Sequence, residues 1–184
     1  RFTGDYRETR SNTSAIVVNQ TSSNGPQTIV SESTTNSSSS SQSSGNDVNG
    51  LYSGTELLTR SSETTTETTN QTYREEGTSL SNVQTETFRS GNRLTGDYLE
   101  TWDTATDSES EQTITNQTLQ NLVTVETTAT TAGTSTGNNL TGFVSRNEAG
   151  ENSVTRIENV TNGPLTTSTT TVNVGESESS STAN

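Results

Sequence analysis

The sequence predicts an all-β chain: a tandem β-repeat fibre of four related units of about 46 residues, with short strands paired within and between units. Three observations lead to this prediction. Thr and Val, which favour strands, alternate along several segments. Gly and Asn-Gly interrupt these segments as turns do. The opening "RFTGDYRETR" recurs as "RLTGDYLETW" at residues 93–102, with seven of ten positions identical.

The repeat is defined by a motif of an apolar or aromatic residue, a hydroxyl residue and Gly, at residues 1–4, 51–54, 93–96 and 139–142. It predicts repeat units at residues 1–50, 51–92, 93–138 and 139–184. Asn92 and Asn138 each precede their Gly by four residues, and Asn184 would hold that place before Gly4 of a following copy. We therefore expect the chain to be one period of a longer array.

A second motif recurs inside the units as Asn-Gln-Thr at residues 19–21, 70–72 and 116–118. Residues 159–161 hold the matching place in the fourth unit. Asn-Gly-Pro follows closely at residues 24–26 and 162–164, and this combination predicts turns.

Alternation with a period of two predicts strands at residues 27–33, 84–88, 124–127 and 169–174. With the Gly and Asn-Gly punctuation, each unit has room for about four short strands. The Ser run at residues 37–41 is either a degenerate strand or an exposed loop. The chain has only two Pro, which leaves its backbone N–H groups free for sheet pairing.

The composition limits both the fold and its partners. Leu, Ile, Val and Phe make up 29 of 184 residues, below the roughly one-fifth at which disorder becomes the default. We expect order to come from pairing with copies of itself, head-to-tail, covalent or non-covalent. The net charge of −13 argues against nucleic acid and anionic membranes as partners. No apolar run is long enough for a membrane span.

Catalytic chemistry is not expected. The chain has no His or Lys to serve as a base for its many Ser residues, so no catalytic residue, metal site or cofactor is assigned and the chain is not predicted to be an enzyme. The acidic cluster Asp103, Asp107, Glu109 and Glu111 lacks the spacing of known calcium loops, which favours a solvated charged face over calcium binding.

Two further groups of residues have alternative interpretations. Tyr6, Tyr98 and Trp102 are interpreted as core anchors, with a sugar-stacking face as the alternative. Asp5 and Asp97 in "TGDY" are interpreted as part of the repeat geometry rather than as ligands.

The hydroxyl clusters and Asn-x-Ser/Thr sequons predict covalent glycans, which would solubilise the chain and shield sheet edges. The candidate sites are Thr64, Thr65, Thr66, Thr127, Thr128, Thr130, Thr131, Thr166, Thr167, Thr169, Thr170, Thr171, Asn19, Asn70, Asn116 and Asn159.

The segments "FRSGNRLTGDY" (residues 88–98) and "GNNLTGF" (residues 137–143) resemble the YD or RHS repeats of bacterial proteins. Gly91-Asn92-Arg93-Leu94-Thr95 matches the second half of that signature, whereas Phe88-Arg89 replaces its Tyr-Asp half. The overall composition and repetition resemble those of giant Ser/Thr-rich tandem-repeat surface proteins of bacteria. The resemblance implies extracellular or cell-surface, all-β repeats.

The function expected from the sequence is structural: a subunit or repeat segment of an extracellular, glycosylated filament such as a matrix, sheath or surface fibre. Surface or matrix polysaccharide is a further candidate partner. One alternative is an adhesin stalk or ice-binding repeat, in which Thr-x-Thr pairs such as 85/87, 113/115 and 167/169 form a flat hydroxyl array. A disordered glycosylated spacer is the other alternative.

Overall fold

The computed structural model describes residues 3–184, which form a single antiparallel sheet whose eight strands follow one another in chain order. Arg1 and Phe2, the first half of the first motif, lie outside the described residues. The strands are β1 (Asp5–Asn24), β2 (Gln27–Asn46), β3 (Leu51–Asn70), β4 (Tyr73–Asn92), β5 (Asp97–Asn116), β6 (Leu119–Asn138), β7 (Phe143–Asn162) and β8 (Leu165–Ala183).

The all-β prediction is confirmed, but the expected strand number and length are wrong. Each unit holds two strands of about 20 residues instead of four short ones. The error arose because Gly and Asn-Gly within the strands were taken as breaks. In this sheet the backbone pairing runs through Asn, Ser and Gly positions within the strands without interruption. The Ser run at residues 37–41 accordingly lies inside β2, as a strand.

Two kinds of turn alternate between the strands. Two-residue turns occupy residues 25–26, 71–72, 117–118 and 163–164, and their first residues, Gly25, Gln71, Gln117 and Gly163, have φ angles of 54–59°. A positive φ at the first central position only is the pattern of a type II′ turn, which suits the twist of paired strands. The two Asn-Gly-Pro turns predicted from the sequence are thus confirmed.

Four-residue turns at residues 47–50, 93–96 and 139–142 close the opposite end of the sheet. Each ends in a Gly with positive φ, Gly50, Gly96 or Gly142, and Gly4 shares this conformation. Gly54 instead lies within β3, opposite Arg89. The match of the motif to residues 51–54 is therefore corrected to residues 47–50, where "DVNG" has Asn in place of the hydroxyl residue.

The strand register is unbroken and assigns every strand residue to one of two faces. Directly opposed residues lie on the same face, so a row can be followed across all eight strands. We call the face of even residues in β1, β3, β5 and β7 and odd residues in β2, β4, β6 and β8 the tyrosine face. It holds Tyr6, Tyr52, Tyr73, Tyr98 and Trp102. We call the opposite face the acidic face.

The sheet is a single layer, and residues 3–184 include no buried hydrophobic side chain. The interpretation of Tyr6, Tyr98 and Trp102 as core anchors is therefore wrong, because one layer encloses no interior. The described residues also include no helix long and apolar enough to cross a membrane.

Candidate functional site

A row of alternating aromatic and small residues crosses the tyrosine face near the four-residue turns. Its members are Tyr6, Gly45, Tyr52, Gly91, Tyr98, Gly137, Val144 and Ala183. A Cβ added to Gly45, Gly91 or Gly137 would collide with the adjacent Tyr ring. Each ring therefore lies over the backbone of a neighbouring glycine, an arrangement that pins the register.

Arg93 contacts two aromatic rings of this row, those of Tyr6 and Tyr52. Its guanidinium lies 5.3 Å from the ring centre of Tyr6 and 5.6 Å from that of Tyr52. It also donates to the Tyr6 hydroxyl at 2.8 Å and pairs with Asp47 at 3.1 Å. Cation–π and hydrogen-bond contacts thus connect β1, β3 and two successive turns.

Trp102 forms a second aromatic site on the same face. It lies opposite Gly133, and its ring occupies the space that a Cβ on Gly133 would need. The Arg146 guanidinium lies 4.5 Å from the ring centre, on the far side of β6. The missing side chain at Gly133 therefore lets Trp102 reach across β6 to β7.

An Asn side chain organises each four-residue turn. Asn138 donates through Nδ2 to the Thr95 carbonyl (2.8 Å) and to Oδ1 of Asp97 (2.7 Å), and its Oδ1 accepts from the backbone N–H groups of Leu140 (2.9 Å) and Thr141 (3.0 Å). Asn138 therefore accepts hydrogen bonds from backbone N–H groups of its own turn and donates hydrogen bonds to the preceding turn.

Asn46 repeats this pattern with Thr3, Asp5, Val48 and Asn49. The interpretation of Asp5 and Asp97 as structural residues agrees with these contacts.

Hydrogen bonds from the Thr95 hydroxyl and the Asn138 amide lower the pKa of Asp97. Because the folded pKa lies below the unfolded value, this contribution to stability is present above the unfolded pKa. It is lost as the pH falls through the folded pKa. We expect Thr95→Val to raise the pKa of Asp97, measured by NMR titration of its carboxyl carbon. Thr141→Val is the matched control, because Phe143 stands where a carboxylate would be. An unchanged Asp97 pKa in Thr95→Val would contradict the assignment.

The charges are divided unequally between the two faces. The acidic face carries two Arg, Arg7 and Arg74, against 15 acidic residues, a net charge of −13. These are Asp5, Glu32, Glu63, Glu67, Glu76, Glu86, Asp97, Asp103, Asp107, Glu109, Glu111, Glu126, Glu151, Glu176 and Glu178.

The tyrosine face is close to neutral, with six Glu and five Arg, a net charge of −1. Four of its Arg form ion pairs on the face: Arg10 with Glu8, Arg89 with Glu100, Arg146 with Glu148 and Arg156 with Glu158. Most side chains of this face in β4–β6 are half-buried, whereas those of the acidic face there are mostly exposed.

The hydroxyl residues pair between strands. Ser14 contacts Ser37 at 2.7 Å, Ser38 contacts Thr59 at 2.6 Å, and Thr85 contacts Thr104 at 3.1 Å. Cross-strand hydroxyl pairs stabilise a sheet by a few tenths of a kcal/mol, up to about 1 kcal/mol each. Part of the Ser/Thr content therefore supports strand pairing.

The predicted glycosylation sites are split between the faces by the strand alternation. Thr65, Thr128, Thr130, Thr166, Thr170, Asn19 and Asn159 lie on the acidic face, and Thr64, Thr66, Thr127, Thr131, Thr167, Thr169, Thr171, Asn70 and Asn116 lie on the tyrosine face. The structure does not gather them into one surface. All the Thr sites of β8 are exposed.

The four Asn sites are not equivalent, which corrects the second motif. Asn70 and Asn116 end β3 and β5 beside two-residue turns, whereas Asn19 and Asn159 lie inside β1 and β7. Asn24 and Asn162 hold the corresponding turn positions. Asn116 and Asn162 accept hydrogen bonds from Thr72 and Thr118 of the preceding turns, so Asn116 has a structural role in turn stacking.

The remaining candidate groups lie as follows. Asp103, Asp107, Glu109 and Glu111 project from the acidic face along β5, and no three His, Cys, Asp or Glu side chains of residues 3–184 lie close enough together to hold a metal ion. The Thr pairs 85/87 and 167/169 are on the tyrosine face, but 113/115 is on the acidic face. The Thr-x-Thr pairs thus do not form one array.

A shallow groove of about 760 Å³ crosses β1–β6 at mid-length. Its wall includes Thr13 and Ala15 at one end and Thr128 and Thr130 at the other, with Asp107 as an acidic member. These side chains belong to the acidic face, and their hydroxyl and amide groups can form hydrogen bonds with an extended polar chain.

Within residues 3–184, β1 and β8 are each paired on one side only and form the two free edges of the described sheet. Neither strand contains Pro or Lys, residues that natural edge strands use against association. Their pairing with β2 and β7 shows no bulge. Each edge thus offers a row of unpaired backbone N–H and C=O groups about 68 Å long.

The sequence interpretation missed the free edges, the charge division and the Tyr–Gly row. One signal was present in the sequence: Tyr6, Tyr52 and Tyr98 are 46 residues apart, as are Gly45, Gly91 and Gly137. Aligning Gly50, instead of Gly54, with Gly4 would have revealed it.

Comparisons with known proteins bear on the fold alone. No protein-family model matches the chain, and no curated protein matches it. The chain is similar in fold to the crystal structure of the ferric yersiniabactin uptake receptor FyuA from Yersinia pestis, with a TM-score of 0.55 and 9% identity over 84% of this chain and 25% of the receptor. The chain thus corresponds to about a quarter of the receptor's length.

Proposed function

We propose that the chain is a structural subunit of an extracellular, glycosylated filament, built by pairing β8 of one copy with β1 of the next. The observation that carries the proposal is the pair of free edges on an open sheet with an unbroken register. Long edges without Pro, Lys or a bulge favour β-strand addition.

The repeat supports head-to-tail pairing. Two 20-residue strands with one two-residue and one four-residue turn make up 46 residues, the spacing of Gly4, Gly50, Gly96 and Gly142. We propose these hairpins as the repeat units. If the register continues, Ala183 of one copy lies between its own Val144 and Tyr6 of the next copy. The row would then continue from one copy to the next with a local shift of the backbone at Ala183, because an added Cβ at the equivalent Gly45 would meet the Leu51 carbonyl oxygen.

Sugars on exposed Thr residues of the acidic face, such as Thr166 and Thr170, and a polysaccharide along the groove of that same face belong to the same proposal. Side chains project above and below the sheet, so a sugar on β8 leaves its backbone edge free to pair. A structural filament needs no catalytic group, and the prediction that the chain is not an enzyme stays part of the proposal.

Edge pairing can be tested with paired cysteines, since the natural chain has none. Ile29 faces Thr68 between β2 and β3, so the continued register sets Thr167 opposite Ser22 of the next copy. Opposed Cα atoms lie about 4.5–5.5 Å apart, within reach of a disulfide. We expect Ser22→Cys/Thr167→Cys to form a ladder of covalent oligomers on mild oxidation, resolved by denaturing electrophoresis.

The control is Ser22→Cys/Thr171→Cys, which is out of register by four residues, or about 13 Å. It should form at least tenfold less oligomer. An equal yield from both pairs would contradict the register. A disulfide within a single chain would show that the sheet closes on itself, and absence of any disulfide would also overturn edge pairing.

A further inference from the structure

Neither face of this sheet is packed against a second layer within residues 3–184. A sheet is stable when at least one face is packed against another layer, and the described residues form one layer without a buried apolar side chain. Pairing at the edges lengthens the sheet but leaves both faces in solvent. Edge pairing therefore does not supply the missing layer.

The charge division indicates which face is covered. We propose that the tyrosine face packs on the tyrosine face of a second copy, so that both acidic faces point to solvent. Stacked sheets lie about 10 Å apart, close to the Debye length at physiological salt. Two acidic faces of net charge −13 would repel at that distance, whereas two tyrosine faces carry −1 each.

The middle of the tyrosine face suits such packing. Its four central rows, those through Asn12, Ser14, Ile16 and Val18, contain 32 residues, of which only Arg60 and Arg156 are charged. The four central rows of the acidic face contain nine acidic residues and no Arg. The partner is therefore a surface as neutral as the tyrosine face itself, which a second copy provides.

The available area is sufficient. Eight strands at about 4.8 Å and 20 residues at about 3.4 Å give a face of roughly 38 by 68 Å, or about 2,600 Å². An overlap of half this area covers about 1,300 Å² per copy, above the roughly 800 Å² per partner of a standard stable interface. Tyr and Trp, which are enriched at interfaces, lie on this face only.

Thr127 and Thr128 give a matched test, since these neighbours in β6 point to the tyrosine and acidic faces respectively. We expect Thr127→Glu to abolish stacking: the diffraction spacing near 10 Å is lost and the mass per unit length of the assemblies halves. The strand spacing near 4.8 Å should remain. Thr128→Glu should behave as the natural chain. Equal behaviour of the two variants, or a natural chain without the 10 Å spacing, would overturn the proposal.

A second measurement does not depend on introducing a charge. Single spin labels at Thr106→Cys on the tyrosine face and Ala105→Cys on the acidic face report distances between copies. Face-to-face packing predicts distances below about 20 Å for the first label only, since edge neighbours are about 38 Å apart. Similar distances for both labels would contradict the proposal. The Ser22/Thr167 disulfide ladder should persist in Thr127→Glu, so that loss of stacking and loss of edge pairing are distinguished.

Discussion

Replacing Asn138 with alanine is expected to lower the free energy of unfolding by about 1–3 kcal/mol. The amide makes four hydrogen bonds, two to the preceding turn and two within its own. Each is worth about 0.5–1.5 kcal/mol, and water replaces part of the loss at this half-buried site. Urea unfolding followed by the fluorescence of Trp102, the only Trp of the chain, measures the change.

Asn92→Ala is the matched control. Asn92 accepts hydrogen bonds from Leu94 and Thr95 within its turn, and the residue opposite it on β3 is Leu51 instead of an aspartate. Its replacement should cost less than half as much. An equal loss in both variants would show that the contacts of Asn138 with Thr95 and Asp97 contribute nothing.

Asn138→Asp tests the effect of charge at this position while the shape of the side chain is kept. The new carboxylate keeps the acceptors for the turn but lies beside the Asp97 carboxylate, where like charges repel. We expect the variant to be less stable than the natural chain at pH 7. The deficit should shrink at low pH, once one of the two carboxyl groups is protonated.

Gly133→Ala is expected to destabilise the sheet by roughly 1–3 kcal/mol, the usual cost of forcing extra volume into a filled site. The added Cβ would occupy the space of the Trp102 ring, which bridges β6 to reach Arg146. The ring would be displaced toward solvent, and its fluorescence emission should shift to longer wavelength.

Gly54→Ala provides the comparison. Gly54 also lies in a strand, but its nearest neighbour for an added Cβ is the Gln42 carbonyl oxygen at 3.2 Å, with no aromatic ring in contact. The Gln42 carbonyl would have to move by only a few tenths of an ångström, so this change should cost less than Gly133→Ala, by at least about 1 kcal/mol. In the background Trp102→Ala, followed by circular dichroism, Gly133→Ala should lose most of its cost. If the cost persists without Trp102, the ring is not its cause.

The sequence correctly indicated the all-β class, the two Asn-Gly-Pro turns and the structural role of Asp97. It led to the wrong strand length, because Gly and Asn-Gly were assumed to interrupt strands. Strand continuity in this sheet depends on backbone pairing with the neighbouring strands, which Asn, Ser and Gly also form. Cross-strand pairs such as Ser38 with Thr59 make a Ser-rich segment compatible with a strand.

The sequence also led to the wrong choice of the turn that is equivalent to residues 93–96 and 139–142. "LYSG" at residues 51–54 fits the composition of the motif better than "DVNG" at residues 47–50. The positive φ of Gly50 and the pairing of Gly54 with Arg89 decide between them. Backbone conformation rather than residue type therefore identifies the equivalent turn.

The strand-forming composition, the excess of negative charge and the recurrence of Gly, Asn and Tyr can be predicted from the chain, because local propensity and periodicity are properties of the residues. The concentration of the net charge on one face, the contact of Trp102 with Gly133 and the position of β1 and β8 at the sheet edges follow from the fold. Each of these depends on the register between strands, which sets residues as distant as Tyr6 and Arg93 in contact. A shift of one residue in that register would move every side chain of a strand to the other face.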